Sequence, residues 1–177
     1  MALTGGDPPP GMRSFKDLPE GLCWQKGFER VRLQVEFQGL SQTQYSTVIV
    51  TRNRPEALAL SLPLMLEQSR LPQDILVVDS SDDPAPNKAL VDRLAAQTAV
   101  PLRHMTSPAG MTVQRNIGLA QVSSEVVFFP DDDSLVLPGT LEAMMRIYDL
   151  DTQGIVGGVC SAEAKAPPQG VLNGPGA

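Results

Sequence analysis

The sequence predicts an α/β fold, in which a mostly parallel sheet is covered by helices on both faces. Short apolar segments alternate with longer segments of helical composition along most of the 177 residues. The apolar segments contain few polar residues, which is typical of strands that are buried on both faces of a parallel sheet. Hydrophobic residues make up 42% of the chain, and this length can bury a substantial core. One sheet is therefore expected, with all its strands ending at the same edge.

Two segments precede this alternation. Residues 1–20 are rich in glycine and proline, which predicts a flexible tail. Residues 21–45 are predicted to be an N-terminal strand region, because in RVRLQVEFQG apolar and polar residues alternate from Arg30 onwards. Such alternation predicts an extra strand with one wet face.

Four strand and helix pairs follow within a domain predicted over residues 46–160. Pro55 suits the first turn of the first helix, whereas Pro63 lies inside it and predicts a kink. GIVGGVC predicts a further strand at 154–160, and the Pro/Gly-rich residues 161–177 predict a C-terminal tail at a truncation point. The predicted strands are 46–51, 74–79, 100–105 and 125–130, and the predicted helices are 55–69, 84–97, 111–121 and 138–149.

Composition restricts the classes of partner and the location. A net charge of −6, without any basic tract interleaved with aromatics, argues against nucleic acid as a partner. Cys23 and Cys160 lie far apart and form neither a zinc motif nor a disulfide framework. The N-terminus has no secretory h-region, and the apolar residues 57–66 are too few to cross a bilayer. These features predict a cytoplasmic protein and leave peripheral docking on the cytosolic membrane face open.

Polar side chains follow the predicted strands, at the edge where open parallel sheets bind ligands. Three adjacent carboxylates come after the fourth strand, and they repel one another unless a cation lies among them. A mixture of acids and arginines suits a ligand that carries a phosphate and a divalent metal, since Mg²⁺ and Mn²⁺ prefer oxygen ligands. These polar residues are Thr51 to Arg54, Asp79 to Asp83, Arg115 with Asn116, and Asp131 to Asp133.

Asp131 and Asp133 are the candidates for the metal. Because they are one residue apart, in an extended segment they project to the same side. One of them then takes the metal, while the other orients a hydroxyl of the same ligand.

Four segments, in order and spacing, resemble GT-A glycosyltransferases of the family-two type. They are STVIVTRNRPEAL, DILVVDSSDD, GMTVQRNIGLAQ and VVFFPDDDSLVLPGTL, and the resemblance covers residues 46–160. It implies a Rossmann-like GT-A sheet that binds a nucleoside diphosphate sugar with Mn²⁺ or Mg²⁺ and transfers the sugar with inversion. The family's usual setting, by analogy, is cell-surface polysaccharide synthesis.

The resemblance also implies a role for each matching residue. Thr51 and Asp79 correspond to residues that hold the base, and Arg115 to one near the base and phosphate. Asp131 corresponds to the ribose-side residue of the Asp-x-Asp motif, and Asp133 to its metal ligand. The other residues expected at the donor are Arg52, Asn53, Ser81, Asn116 and Asp132, with Asp131 as the second metal residue.

The chain departs from the family pattern at three points. Arg52 stands where an aromatic is common, and Gln114 stands where alanine is usual. The catalytic base is unknown, because family enzymes carry it well downstream of the aspartates, in the half that holds the acceptor. The acceptor, a saccharide or a lipid-linked molecule, is unknown for the same reason. An exposed apolar edge left by truncation would favour self-association.

Several alternatives remain open. The aspartates suit a solvated turn that caps the next helix. They also fit loosely the strand and Asp-x-Asp motif of haloacid dehalogenase phosphatases, although three strand and helix units precede them here. A third alternative is a truncated module that binds a nucleotide sugar without transferring it. His104 is interpreted as structural, Met111, Met144 and Met145 as core residues, and Cys160 as buried.

Overall fold

The structure, a computed structural model, describes residues 42–161. The predicted tail at 1–20, the predicted N-terminal strand and residues 162–177 lie outside the described residues. Within the described range no helix is both long enough and apolar enough to cross a membrane.

Four parallel strands alternate with four helices, which confirms the predicted α/β fold. The strands form one sheet in the order β3-β2-β1-β4. Strand ends differ from the predictions by at most two residues, and α1 ends three residues earlier than predicted. The elements are β1 (Tyr45–Thr51), α1 (Pro55–Leu66), β2 (Ile75–Asp79), α2 (Ala85–Ala95), β3 (Leu102–Thr106), α3 (Met111–Leu119), β4 (Val126–Phe128) and α4 (Thr140–Leu150).

The strand order reverses direction at β1. The chain adds β2 and β3 on one side of β1 and then returns to place β4 on the other side. An isolated bridge between Val50 and Asp131 carries the pairing of β1 and β4 past the end of β4. The first of the three aspartates therefore lies beside the carboxyl end of β1, at the switch point where open α/β sheets bind ligands.

The two faces of the sheet bury separate apolar clusters. On one face Ile49 and Val77 pack with Leu58 and Leu62 of α1 and with α2. On the opposite face the buried valines of β1 and β2 pack against Ile117 of α3. A third cluster, around Tyr45, joins α4 to β1 and β4. The prediction of helices on both faces is confirmed, and this packing fixes the strand ends that form the site.

Gly118 lets α3 approach the sheet closely. A Cβ atom at this position would overlap Cγ1 of Val48 and would lie 3.2 Å from Cγ2 of Val78. Val48 and Val78 are both fully buried. The backbone of α3 therefore rests directly on β1 and β2, which fixes the start of the helix relative to the strand ends.

Gly118→Ala should lower the free energy of unfolding by about 1–3 kcal/mol, because the added methyl group overpacks this contact. The gain in helix propensity, up to about 1 kcal/mol, offsets part of that loss. Urea denaturation measures the change. Gly157→Ala is the matched control, since nothing lies within 4 Å of a Cβ atom there. An equal effect in the two variants would contradict the close contact.

Three sequence predictions about these residues were wrong. The segment predicted as a strand at 154–160 is irregular, because the carboxylate of Asp151 binds the N–H of Val156 at 2.7 Å. Its glycines also lose the most backbone entropy on ordering in a strand. Met111 is exposed because it begins α3 at the sheet edge, and Cys160 is exposed within the irregular segment. Met144 and Met145 are buried as predicted.

Candidate functional site

An open cavity of about 460 Å³ lies at the carboxyl edge of the sheet, between the ends of β1 and β4 and the start of α3. Most of the residues that line it are polar or charged, and they come from three separate parts of the chain. Five of the ten residues that line it were expected at the donor or the metal from the sequence, and five were not. The lining residues are Val50, Thr51, Arg52, Arg54, Gly110, Met111, Gln114, Asp131, Asp132 and Asp133.

The three aspartates occupy a turn. Ser134 N donates to Asp131 O at 3.0 Å, so the chain reverses across Asp132 and Asp133. The premise that Asp131 and Asp133 share one side of an extended segment was therefore wrong, because side chains do not alternate in a turn. Asp131 instead accepts a hydrogen bond from Nη2 of Arg115, a residue of α3, at 3.1 Å.

Asp132, whose role was least defined by the sequence, is the buried member of the triplet. Its side chain is only 6% exposed. It accepts hydrogen bonds from the Thr51 hydroxyl at 2.7 Å and from Arg54 Nη1 at 2.9 Å. Its backbone oxygen accepts the Ser61 hydroxyl of α1 at 2.6 Å. These contacts anchor the turn to β1 and α1, so that Asp131 and Asp133 are held at the cavity.

Arg54 joins two of the aspartates. Besides Asp132 it contacts Asp133, with Nη2 at 2.6 Å from Oδ2, and the side chain of Asp133 is 54% exposed. This hydrogen bond lowers the pKa of Asp133 and raises that of Arg54. Asp133 is therefore ionised at neutral pH and faces the cavity. From the sequence, Arg54 was expected only among the polar residues that follow the first strand.

The loops after β1 and β2 hold each other in place. Asn53, with a left-handed φ of 54°, donates from Nδ2 to Asp82 Oδ2 at 2.8 Å and accepts the Asp82 N–H at 2.9 Å. Its own N–H donates to the Ser81 hydroxyl at 2.7 Å. Asn53 and Ser81, both predicted at the donor, thus cross-link two loops. Arg52 contacts Asp82 at 3.5 Å at the cavity rim.

Asp79 is fully buried beneath these loops. Its oxygens accept Ser81 N at 2.8 Å and Asn87 Nδ2 at 3.0 Å, and His104 Nε2 lies 3.1 Å away. Burial alone would raise the pKa of Asp79, but hydrogen bonds from Ser81, Asn87 and His104 together lower it. His104 thus has a structural partner, in keeping with its interpretation. No sequence signal linked Asn87 or His104 to Asp79, because both pairings depend on the fold.

Gln114 ties the ends of β1 and β2 together. Its Nε2 donates to the backbone oxygens of Thr51 at 3.0 Å and Val78 at 2.9 Å, and the side chain is buried. The family's usual alanine would lack both hydrogen bonds. The departure noted in the sequence therefore has a structural role beside the cavity. Asn116, in contrast, is exposed on α3 and is not among the residues that line the cavity.

The donor atoms suit a hard divalent cation. Asp131 and Asp133 line the same cavity and supply oxygen atoms only. Among residues 42–161 no group of three or more His, Cys, Asp or Glu side chains is arranged to hold a metal ion. Asp131 and Asp133 would supply one or two carboxylates, which is the usual protein contribution to Mg²⁺ when phosphates and waters complete the shell.

Comparison with known proteins adds a family and a fold. The family described as "Glycosyl transferase family 2" has a sequence model that matches residues 46–169. YwdF of Bacillus subtilis (strain 168), an uncharacterized glycosyltransferase, is 31% identical over 102 residues, or 57% of this chain and 37% of YwdF.

The structures of TarS from S. aureus show the same fold. The match with the structure of TarS 1–349 covers 60% of this chain and 32% of the TarS chain, with a TM-score of 0.51 and 22% sequence identity. The same part of TarS in complex with UDP gives a TM-score of 0.50 at the same coverage. This chain thus spans about a third of the length of the proteins that it matches.

Proposed function

We propose that this chain, which belongs to glycosyl transferase family 2, binds a nucleoside diphosphate sugar at the carboxyl edge of its sheet. Membership confirms the resemblance predicted from the sequence. The observation that carries the proposal is the cavity at the β1–β4 switch point, which Asp131, Asp133 and Arg54 line and where Arg115 contacts Asp131. We expect these groups to bind the diphosphate together with Mn²⁺ or Mg²⁺.

The residues divide into those that contact the donor and those that position them. Asp133 and Asp131 would hold the divalent cation, which when bound neutralises the diphosphate and makes it a better leaving group. Arg115 would pair with phosphate, since guanidinium groups recognise phosphate through charge-assisted hydrogen bonds. Thr51 and Asp79 would act as positioning residues, because Thr51 donates to Asp132 and the oxygens of Asp79 are already engaged.

Transfer of the sugar belongs to the whole protein. The chain spans about a third of the relatives' length, so inversion, the acceptor and the catalytic base stay proposals from family membership. The same partial coverage supports the alternative of a module that binds a nucleotide sugar without transferring it. The phosphatase alternative has no support from the family match. A cytoplasmic location, peripheral membrane docking, self-association and a setting in cell-surface polysaccharide synthesis also stay predictions.

Calorimetric titration tests the donor site. We expect one of UDP, GDP and dTDP to bind only when Mn²⁺ is present, with UDP first because TarS has been solved with it. Asp133→Ala should lose this metal-dependent binding while keeping its fold, since Asp133 is half exposed. A folded wild type that binds none of the three would refute the site. Release of sugar from the matching donor would then separate an enzyme from a binding module.

A further inference from the structure

Arg54 is held by two carboxylates of very different exposure. Nη1 contacts Asp132, which is buried and also binds the Thr51 hydroxyl. Nη2 contacts Asp133, which is half exposed and lines the cavity. The guanidinium therefore has a fixed partner on its buried side and an exposed partner on the side of the cavity.

The contact with Asp133 conflicts with a metal ligand at the same position. Mg²⁺ binds carboxylate oxygens at about 2.0–2.1 Å. Arg54 Nη2 already lies 2.6 Å from Asp133 Oδ2. Two cations beside one exposed carboxylate repel each other, so Arg54 on Oδ2 weakens the binding of a metal to Asp133.

A diphosphate offers Arg54 another partner in the same cavity. Guanidinium groups bind phosphate oxygens with planar, charge-assisted hydrogen bonds. The side chain of Arg54 is about half exposed and lines the cavity beside Asp131 and Asp133. The guanidinium is one rigid plane, so rotation of the whole group about its contact with Asp132 would carry Nη2 from Asp133 towards a phosphate.

We propose that Arg54 exchanges partners when the donor binds. In the free chain it neutralises Asp133, and on arrival of the metal and the nucleoside diphosphate it yields Asp133 to the metal and contacts the diphosphate. Asp132 remains its anchor in both states. The inference rests on the donor site proposed above and adds Arg54 to it as a phosphate-binding residue that also limits binding of the metal alone.

Two affinities that shift in opposite directions test the exchange. Binding of Mn²⁺ alone, followed by the electron paramagnetic resonance signal of the free ion, should be about two- to fivefold tighter in Arg54→Gln than in wild type. Affinity for the nucleoside diphosphate at saturating Mn²⁺ should fall about tenfold or more, because a charged hydrogen bond is lost. In Arg54→Lys both affinities should lie between those of Arg54→Gln and wild type.

Arg103→Gln is the matched control, since Arg103 pairs with Asp74 and Gln121 and not with the aspartate triplet. It should change neither affinity, and thermal unfolding verifies that every variant is folded. If wild type shows Mn²⁺-dependent binding but Arg54→Gln weakens both affinities or neither, the exchange is overturned and the donor site stands. If wild type binds no nucleotide with Mn²⁺, the donor site fails and the exchange fails with it.

Discussion

Asp149→Ala should lower the free energy of unfolding by about 3–5 kcal/mol, the cost of leaving one half of a buried ion pair alone. Arg70 and Asp149 form a two-pronged pair at 2.5 and 3.0 Å, with side chains only 9% and 10% exposed. Arg70 also donates to Thr43 O at 2.6 Å, and Thr43 N donates to Asp149 at 2.8 Å. The pair thus ties the loop after α1 to α4 and to the segment that enters β1.

Asp92→Ala provides the matched control in urea denaturation at neutral pH. Asp92 pairs with Lys88 on the surface of α2, and both side chains are exposed. Loss of an exposed pair changes stability by at most about 1 kcal/mol. Similar effects of Asp149→Ala and Asp92→Ala would show that the Arg70 pair does not join these elements.

Lowering the pH should cause part of the same loss in the free energy of unfolding. Burial alone would raise the pKa of Asp149, but the hydrogen bonds from Arg70 and Thr43 outweigh it and lower the pKa. A carboxyl group with a lowered folded-state pKa stabilises the protein above its unfolded pKa, about 3.9, and this stabilisation is lost as pH falls through the folded value. The difference in stability between wild type and Asp149→Ala should therefore shrink below about pH 4. A constant difference would contradict the ionised pair.

Asp132→Ala should lower the free energy of unfolding by about 2–3 kcal/mol, because it leaves a buried hydroxyl and a guanidinium without their acceptor. Thr51 and Arg54 both donate to this carboxylate. Asp131→Ala is the control next to it, since Asp131 is largely exposed and pairs only with Arg115 at the rim. Asp131→Ala should change stability by less than about 1 kcal/mol. Equal losses in urea denaturation would contradict the division of the triplet into one structural and two cavity-facing aspartates.

The sheet could be predicted from the sequence because each strand is a short apolar run and each helix a longer segment beside it. The gathering of Thr51, Asp79 and Asp131 at one edge followed, since parallel topology brings strand ends together. The same logic led to the segments after β1 and β4, which line the cavity, whereas residues 79–83 after β2 are not among the lining residues. It predicts nothing about which side chain within a segment is buried.

The remaining features depend on contacts between residues far apart in the chain. Asp131, Asp132 and Asp133 are the same residue type, and Asp132 alone is buried because of the turn that the chain makes there. Arg70 and Asp149 are separated by 79 residues and belong to no local pattern. The role of Gln114 depends on the position of α3 over the ends of β1 and β2. Side-chain pairing of this kind follows from the packed fold and not from periodicity.

The central claim is that a divalent metal and a nucleoside diphosphate bind together at the carboxyl edge of the sheet. Paramagnetic broadening of amide signals by Mn²⁺, measured by NMR with the nucleotide bound, locates the metal most directly. We expect the strongest broadening at residues 51–54 and 131–134. It should be much weaker at Tyr45, about 20 Å away along β1. The pattern should be lost in Asp133→Ala. Broadening that is strongest at the opposite edge of the sheet, or that persists unchanged in Asp133→Ala, would contradict the claim.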